Sequence, residues 1–115
     1  MTVTIYHNPR CSKSRQTLAL IENRGIAPEV VEYLKAPPDA ATLKRLLGLL
    51  GKSPREVIRK GEDAYRDNGL ADPNLDDDAL IAAMVANPIL IERPIVVAGD
   101  KAALGRPPES VLEIL

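Results

Sequence analysis

A short loop near the N-terminus, YHNPRCSKSR at residues 6–15, gathers the side chains best suited to chemistry. It holds the only cysteine of the chain, Cys11, and the only histidine, His7, and it contains no acid. Three basic residues accompany them: Arg10, Lys13 and Arg15. A thiol becomes a nucleophile as the thiolate, and nearby positive charges lower its pKa. The loop therefore predicts a reactive cysteine.

Cys11 stands where a predicted strand passes into a predicted helix. The first backbone N–H groups of a helix have no partner within the helix, and they stabilise a thiolate or bind an oxyanion. Cysteine is also common as an inert core residue. A core cysteine would lie on a strand or on a helix face, whereas Cys11 follows the polar segment NPR. The position indicates an oxyanion held against a nucleophilic sulfur.

The spacing around Cys11 separates related chemistries. A cysteine phosphatase loop would need an arginine where Thr17 stands, and a dithiol redox site would need a second cysteine where Ser14 stands. The motif is therefore C-S-K-S with a single thiol, so any disulfide of Cys11 must form with another molecule.

Two interpretations of His7 stay open at this stage. It could help to deprotonate Cys11 or steady a bound anion, or it could be a turn histidine bonded to nearby backbone. With one cysteine and one histidine in the chain, we expect no metal site.

The composition narrows the class of protein. Hydrophobic residues make up 45% of the 115 residues and charged residues 27%, which is typical of one soluble globular domain. The formal net charge is -1 and the three tyrosines are the only aromatic residues, so we expect no nucleic-acid partner. No export signal or membrane-spanning run is predicted. We expect a cytoplasmic monomer.

The pattern of residues predicts an α/β fold. TVTIY reads as a strand, residues from about Ser12 to Arg24 as a helix, and PEVVEY as a second strand, which together form a β-α-β unit. PIVVA and AALG read as an antiparallel hairpin, and PESVLEIL as a closing helix. This order, β-α-β and then β-β-α, is that of a thioredoxin-like mixed sheet.

A helical insertion separates the two halves of that sheet. Asp39 can cap a helix over AATLKRLLGLLG. The segment SPRE forms a capping box that begins a second helix over PREVIRK, and this helix is predicted to end at Gly61. EDAYRDNG adds a turn or two, and DDDALIAAMVAN is a further helix. We predict a single domain over residues 1–115 with the insertion at about residues 39–87.

Five segments together resemble the glutaredoxin-coupled arsenate reductase family. They are IYHNPRCSKSRQTL, YLKAPP, IRK, NPILIERPIVV and GRPPESVLEIL, in the same order as in that family. The resemblance implies a short-chain member with a thioredoxin-like fold. It further implies that arsenate is the substrate, and that glutathione, as a co-substrate, and glutaredoxin supply the electrons. No tightly bound cofactor is expected.

The resemblance also assigns roles to residues. It implies that Cys11 is the catalytic nucleophile and that three arginines bind the substrate, namely Arg59, Arg93 and Arg106. Arginine suits a tetrahedral oxyanion because its rigid fork donates two hydrogen bonds. The residues implied to support the site are His7, Ser14, Arg15 and Pro94. Pro94 matches the cis-proline that lies against the active cysteine in thioredoxin-like folds.

Two other functions fit the sequence. C-S-K-S permits a monothiol oxidoreductase that transfers glutathione to and from protein thiols, with the arginines binding the glutathione carboxylates. A redox regulator that binds RNA polymerase is a weaker alternative, because such sensors commonly use the second cysteine that Ser14 replaces.

Overall fold

The computed structural model describes residues 2–115, which divide into two compact units. One unit comprises the residues up to Ala36 together with Arg93–Leu115, and the other comprises Pro37–Glu92. The second unit contains the segment predicted as a helical insertion. Within residues 2–115, no helix combines the length and the apolar character that a membrane span requires.

A four-stranded mixed sheet forms the centre of the first unit. Its strands are β1 (Val3–His7), β2 (Glu29–Glu32), β3 (Ile95–Ala98) and β4 (Lys101–Leu104), in the order β2-β1-β3-β4. Strand β1 pairs with β2 in parallel and with β3 in antiparallel, and β3 pairs with β4 in antiparallel. The predicted β-α-β and β-β segments are therefore confirmed, and they meet through β1 and β3 at the centre of the sheet.

Helix α1 (Ser12–Asn23) connects β1 to β2 and packs against the sheet. Its apolar residue Ile21 is fully buried with aliphatic side chains of β1 and β3. The closing segment, Pro108–Ile114, is a 3-10 helix that also packs on α1. Aliphatic side chains of α1, the sheet and the closing 3-10 helix form this core. The packing holds α1 against the sheet, with its N-terminal end next to the end of β1.

The second unit is helical. It contains α2 (Ala40–Leu50), α3 (Pro54–Val57), α4 (Asp63–Asp67), α5 (Asp77–Ala86) and a 3-10 turn at Pro88–Leu90. The Asp39 carboxylate caps α2 by accepting a hydrogen bond of 2.7 Å from the N–H of Thr42. Ser53 and Glu56 form the predicted capping box of α3. The caps and helix starts of this unit are thus confirmed.

The predicted extent of α3 is wrong. The helix ends at Val57 instead of continuing to Gly61, because the following backbone pairs with a distant segment. Ile58 and Ile91 form an antiparallel bridge, and the Arg59 N–H donates to the Leu90 carbonyl at 2.7 Å. These bonds replace the helical hydrogen bonds that a local pattern predicts.

In the first unit, a backbone hydrogen bond joins the residue before β3 to the residue after β4. The Arg93–Pro94 peptide bond is cis, and the Pro94 carbonyl accepts a hydrogen bond of 2.9 Å from the N–H of Gly105. A Cβ atom placed on Gly105 would lie 2.7 Å from Pro94 Cγ and would also clash with Thr17 Oγ1 of α1. Only glycine therefore fits at this position.

We expect Gly105→Ala to lower the free energy of unfolding by about 1–3 kcal/mol, because the new methyl group displaces Pro94 or Thr17. Urea unfolding followed by circular dichroism measures this change. Gly48→Ala is the matched control, since Gly48 lies in the exposed part of α2 and a Cβ there meets nothing within 4 Å. The control should be up to ~1 kcal/mol more stable than wild type. Equal stability of Gly105→Ala and wild type would contradict the packing argument.

Candidate active site

The loop between β1 and α1 folds into a tight turn that presents Cys11 at the start of the helix. Cys11 is the N-cap of α1 and has an extended backbone, with φ -92 and ψ 122. Its N–H donates to the Asn8 carbonyl at 3.0 Å, and the Asn8 side-chain oxygen accepts from the Arg10 N–H at 3.0 Å. Asn8 thus closes the turn from both its backbone and its side chain.

The buried Ser14 side chain stabilises the same turn through hydrogen bonds. Its hydroxyl oxygen accepts a hydrogen bond of 3.0 Å from the Asn8 N–H and lies 2.6 Å from Nδ1 of His7. All three residues are buried, and Ser14 has no exposed surface. A buried hydroxyl bonded on both sides fixes the positions of its neighbours, because breaking either bond leaves a polar group without a partner.

His7 is held in its neutral form. Burial lowers the pKa of the imidazole; Glu32, on the neighbouring strand, opposes this shift, and Arg15 adds to it. In a neutral ring, Nδ1 can accept a hydrogen bond from the Ser14 hydroxyl. Nδ1 of His7 is therefore occupied by its hydrogen bond with Ser14. A role for His7 in deprotonating Cys11 stays a prediction.

Two of the three predicted arginines lie at Cys11. Nη2 of Arg106 is 3.5 Å from Cys11 Sγ, and Nε of Arg106 donates to the Arg93 carbonyl at 2.8 Å. The Arg93 side chain also donates a hydrogen bond to the sulfur. The hairpin of β3 and β4 therefore brings residues from positions 93 and 106 to position 11.

These neighbours make the thiol more acidic. Burial of Cys11 opposes the thiolate, but the Ser14 N–H, the Arg93 side chain and the Lys13 N–H all hydrogen-bond the sulfur and together lower its pKa below the ordinary value. Two of the donors are the unpaired N–H groups expected at a helix start. The predicted reactive thiolate thus has a local structural cause.

Arg59 lies in the helical unit, where it forms two ion pairs. Its Nη1 is 2.6 Å from Glu92 Oε1 and its Nε is 3.2 Å from Glu62 Oε1. Burial opposes the charge of Arg59, but the two carboxylates raise its pKa overall, so the guanidinium stays protonated. Glu62 and Glu92 were not singled out from the sequence. Substrate binding by Arg59 stays a prediction.

The remaining predicted residues support the loop and the strand beside it. Arg15 donates from Nη1 to the Pro9 carbonyl at 2.9 Å, which ties α1 to the turn. The cis bond before Pro94 agrees with the expectation from thioredoxin-like folds. A second cis bond, Arg106–Pro107, was not expected from the sequence.

The assembled site can bind an oxyanion next to a nucleophile. Cys11 is partly exposed and Arg106 is exposed, so a small solute can reach both. Arginine side chains and helical N–H groups bind tetrahedral oxyanions, and the sulfur lies among them. Asn8, which together with Pro9 favours a turn in the sequence, was not assigned to the site; the structure shows that its side chain closes that turn.

Known proteins resemble the chain over nearly its whole length. The ArsC family model matches residues 6–114. An uncharacterized protein of Escherichia coli strain K12, YfgD, is 61% identical over 114 residues, covering 98% of this chain and 96% of the relative. An arsenate reductase of Neisseria meningitidis is 53% identical over 114 residues, covering 98% of this chain and 97% of the relative.

A solved structure gives the same result for the fold. The structure of an arsenate reductase from Vibrio cholerae has a TM-score of 0.97 at 57% identity, and the match covers 100% of this chain and 98% of the other. The expected thioredoxin-like fold and the family resemblance inferred from the five segments are both confirmed.

We expect Arg93→Met to raise the pKa of Cys11 towards its ordinary value, because the substitution removes a hydrogen bond and a positive charge from the thiolate. Alkylation by iodoacetamide as a function of pH reports this pKa, and Cys11 is the only thiol that reacts. The rate should fall severalfold at neutral pH and recover at alkaline pH. Arg24→Met is the control, since Arg24 is exposed just beyond the far end of α1, ~18 Å from the sulfur. An unchanged profile for Arg93→Met would contradict the assignment.

We expect Ser14→Ala to lower the free energy of unfolding by about 1–3 kcal/mol, because the Asn8 N–H and His7 lose a buried partner. Ser12→Ala removes an exposed hydroxyl two residues away and should change stability by less than ~0.5 kcal/mol. Thermal and urea unfolding of both variants measure the difference. Similar stabilities for the two variants would show that the buried hydroxyl does not fasten the turn.

Proposed function

The chain belongs to the ArsC family, and on that premise we propose that it reduces arsenate to arsenite with a single catalytic thiol, Cys11. The observation that carries the proposal is the contact of Arg106 and Arg93 with the Cys11 sulfur, whose pKa is lowered. The arsenate reductases of Neisseria meningitidis and Vibrio cholerae are more than half identical to the chain, which supports the same substrate.

Substrate binding uses the positive end of α1 and the arginines beside it. Arg93 and Arg106 neutralise an arsenate dianion and fix its orientation, and we include Arg59 as a third ligand by its match to the family motif. Because these donors are in place before the reaction, they stabilise the charge that develops as sulfur attacks arsenic. The thiolate then supplies covalent catalysis.

The first chemical step joins enzyme and substrate. The Cys11 thiolate attacks arsenic, a sulfur–arsenic bond forms, and one arsenic–oxygen bond breaks. The departing oxygen is protonated and leaves as water. Arsenic is still As(V) after this step, since no electrons have been transferred to it.

Reduction requires two external thiols. Glutathione attacks the adduct and displaces a second oxygen as water, so that arsenic carries both sulfurs. A glutaredoxin thiolate then attacks the glutathione sulfur, a disulfide forms between them, and the electron pair of the broken sulfur–arsenic bond reduces arsenic to As(III). Hydrolysis of the remaining bond releases arsenite and restores the Cys11 thiol. The lone cysteine suits this route because the chain has no second thiol to form an internal disulfide.

The route also defines the protein's surroundings. Glutathione and glutaredoxin are abundant in the reducing cytoplasm, and we place the protein there as a monomer without a tightly bound cofactor. Gel filtration of the purified protein tests the monomer.

The decisive assay couples arsenate reduction to NADPH consumption through glutathione reductase, glutathione and glutaredoxin. We expect turnover by wild type and at least a ~1000-fold loss for Cys11→Ser, because the nucleophile is removed. Ser12→Ala, an exposed neighbour of the same loop, serves as the control and should retain activity near that of wild type. Turnover by Cys11→Ser at the wild-type rate would exclude the mechanism.

A second substrate in the same assay separates the alternatives. If wild type reduces a glutathione mixed disulfide but does not respond to arsenate, the protein is a monothiol oxidoreductase and the arsenate proposal is wrong. If both substrates depend on Cys11, arsenate turnover should require both glutathione and glutaredoxin.

A further inference from the structure

A cleft of about 300 Å³ opens on the first unit beside the loop that carries Cys11. It lies at the carboxyl ends of β1 and β2, the two parallel strands, where the chain turns away from the sheet. Its walls come from the loop residues Pro9 and Arg10 on one side and from Glu32, Leu34 and Lys35 on the other. A volume of this size is at the lower end of the range for small-molecule sites.

The charges of the cleft form a defined pattern. Two cationic residues, Arg10 and Lys35, and one carboxylate residue, Glu32, line it. Lys35 and Glu32 approach to 3.7 Å, but the Lys35 side chain is 79% exposed, so this pair holds it weakly. The cleft therefore offers two cations and one anion to a solute.

Apolar contact is available in the same place. Leu34 lines the cleft and is one of two large hydrophobic side chains described as exposed, at 39%. Pro9 faces the same space and is also exposed. A ligand with an apolar body could cover both side chains while its charged ends reach the charged residues.

We propose that this cleft is the glutathione subsite of the enzyme. Glutathione carries two carboxylates and one ammonium group, which is the charge pattern complementary to Arg10, Lys35 and Glu32. The inference rests on the proposed function, which requires glutathione as the first external thiol, and it adds the place where that thiol is bound.

The cleft shares its loop with Cys11, so a tripeptide bound there is next to the residue that carries the adduct. An extended tripeptide is ~10 Å long, and its thiol is on the central residue. Arg10, which lines the cleft, directly precedes Cys11, whose N–H is bonded back to Asn8 within the same turn. A tripeptide that binds Arg10 through one carboxylate is therefore held by the residue next to Cys11, and its central thiol lies only one residue from that carboxylate end. Its sulfur can then form the second sulfur–arsenic bond as one oxygen leaves arsenic as water.

Binding can be measured without any chemistry. S-methylglutathione cannot attack arsenic, so its titration into ¹⁵N-labelled wild-type protein reports the subsite alone. We expect the backbone resonances of Arg10, Glu32, Leu34 and Lys35 to shift together. Lys35→Glu should weaken this binding by about three- to tenfold, because one cation is replaced by a repulsive charge. Lys101→Glu, the same change at an exposed lysine of β4, should leave the affinity unchanged.

Steady-state kinetics gives an independent readout. For Lys35→Glu we expect the KM for glutathione to rise about three- to tenfold, with the KM for arsenate and the KM for glutaredoxin unchanged. An increase confined to the KM for glutaredoxin would overturn the proposal, because the cleft would then be part of the protein-docking surface. Shifts confined to residues outside the cleft, or no binding, would overturn it as well.

The two proposals can fail separately. If wild type does not reduce arsenate but S-methylglutathione still shifts the cleft resonances, the arsenate proposal fails and the subsite stands. If arsenate is reduced while the KM for glutathione is the same in Lys35→Glu and wild type, the function stands and the cleft assignment is wrong.

Discussion

The negative charge on the Cys11 sulfur depends on hydrogen-bond donors that the fold must place around it. Burial alone would keep the thiol protonated, and the N–H groups of Lys13 and Ser14 together with Arg93 reverse that tendency. The helical N–H groups require that α1 begin at this residue, and Arg93 requires that β3 run next to β1. The sheet order and the helix start are therefore conditions for the chemistry.

Local patterns predicted most elements because each was decided by neighbouring residues. The alternation in TVTIY, the Asp39 cap and the SPRE capping box all lie within a few residues of the structure they determine, and all were confirmed. The end of α3 was missed because Ile58 pairs with Ile91, more than thirty positions away. The same limit applied to Glu92, which pairs with Arg59 across 33 positions, whereas Glu62 lies only three positions from Arg59 and was overlooked. The gathering of Arg93 and Arg106 at Cys11 was expected from the resemblance, since no local rule joins them.

The arginines differ in their exposure and in their partners. Arg106 is exposed and lies at the sulfur, so an incoming anion meets its charge directly. Arg59 is half-buried between two carboxylates, and an anion that recruits it must compete with Glu92 at 2.6 Å. Charge alone does not distinguish arsenate from phosphate, because the two ions have similar charge and shape. Discrimination between arsenate and phosphate must then come from the affinity of the Cys11 sulfur for arsenic.

The buried hydroxyl of Ser14 has a consequence for how such an enzyme can evolve. This position is the one that a dithiol enzyme fills with its second cysteine. Here the oxygen at that position has no exposed surface and joins His7 to the Asn8 backbone. Sulfur is larger than oxygen and a weaker hydrogen-bond acceptor, so a cysteine there would loosen the turn that presents Cys11. Replacing Ser14 with cysteine would thus add a second thiol and weaken the turn in the same step, so one mutation cannot gain the first without the second.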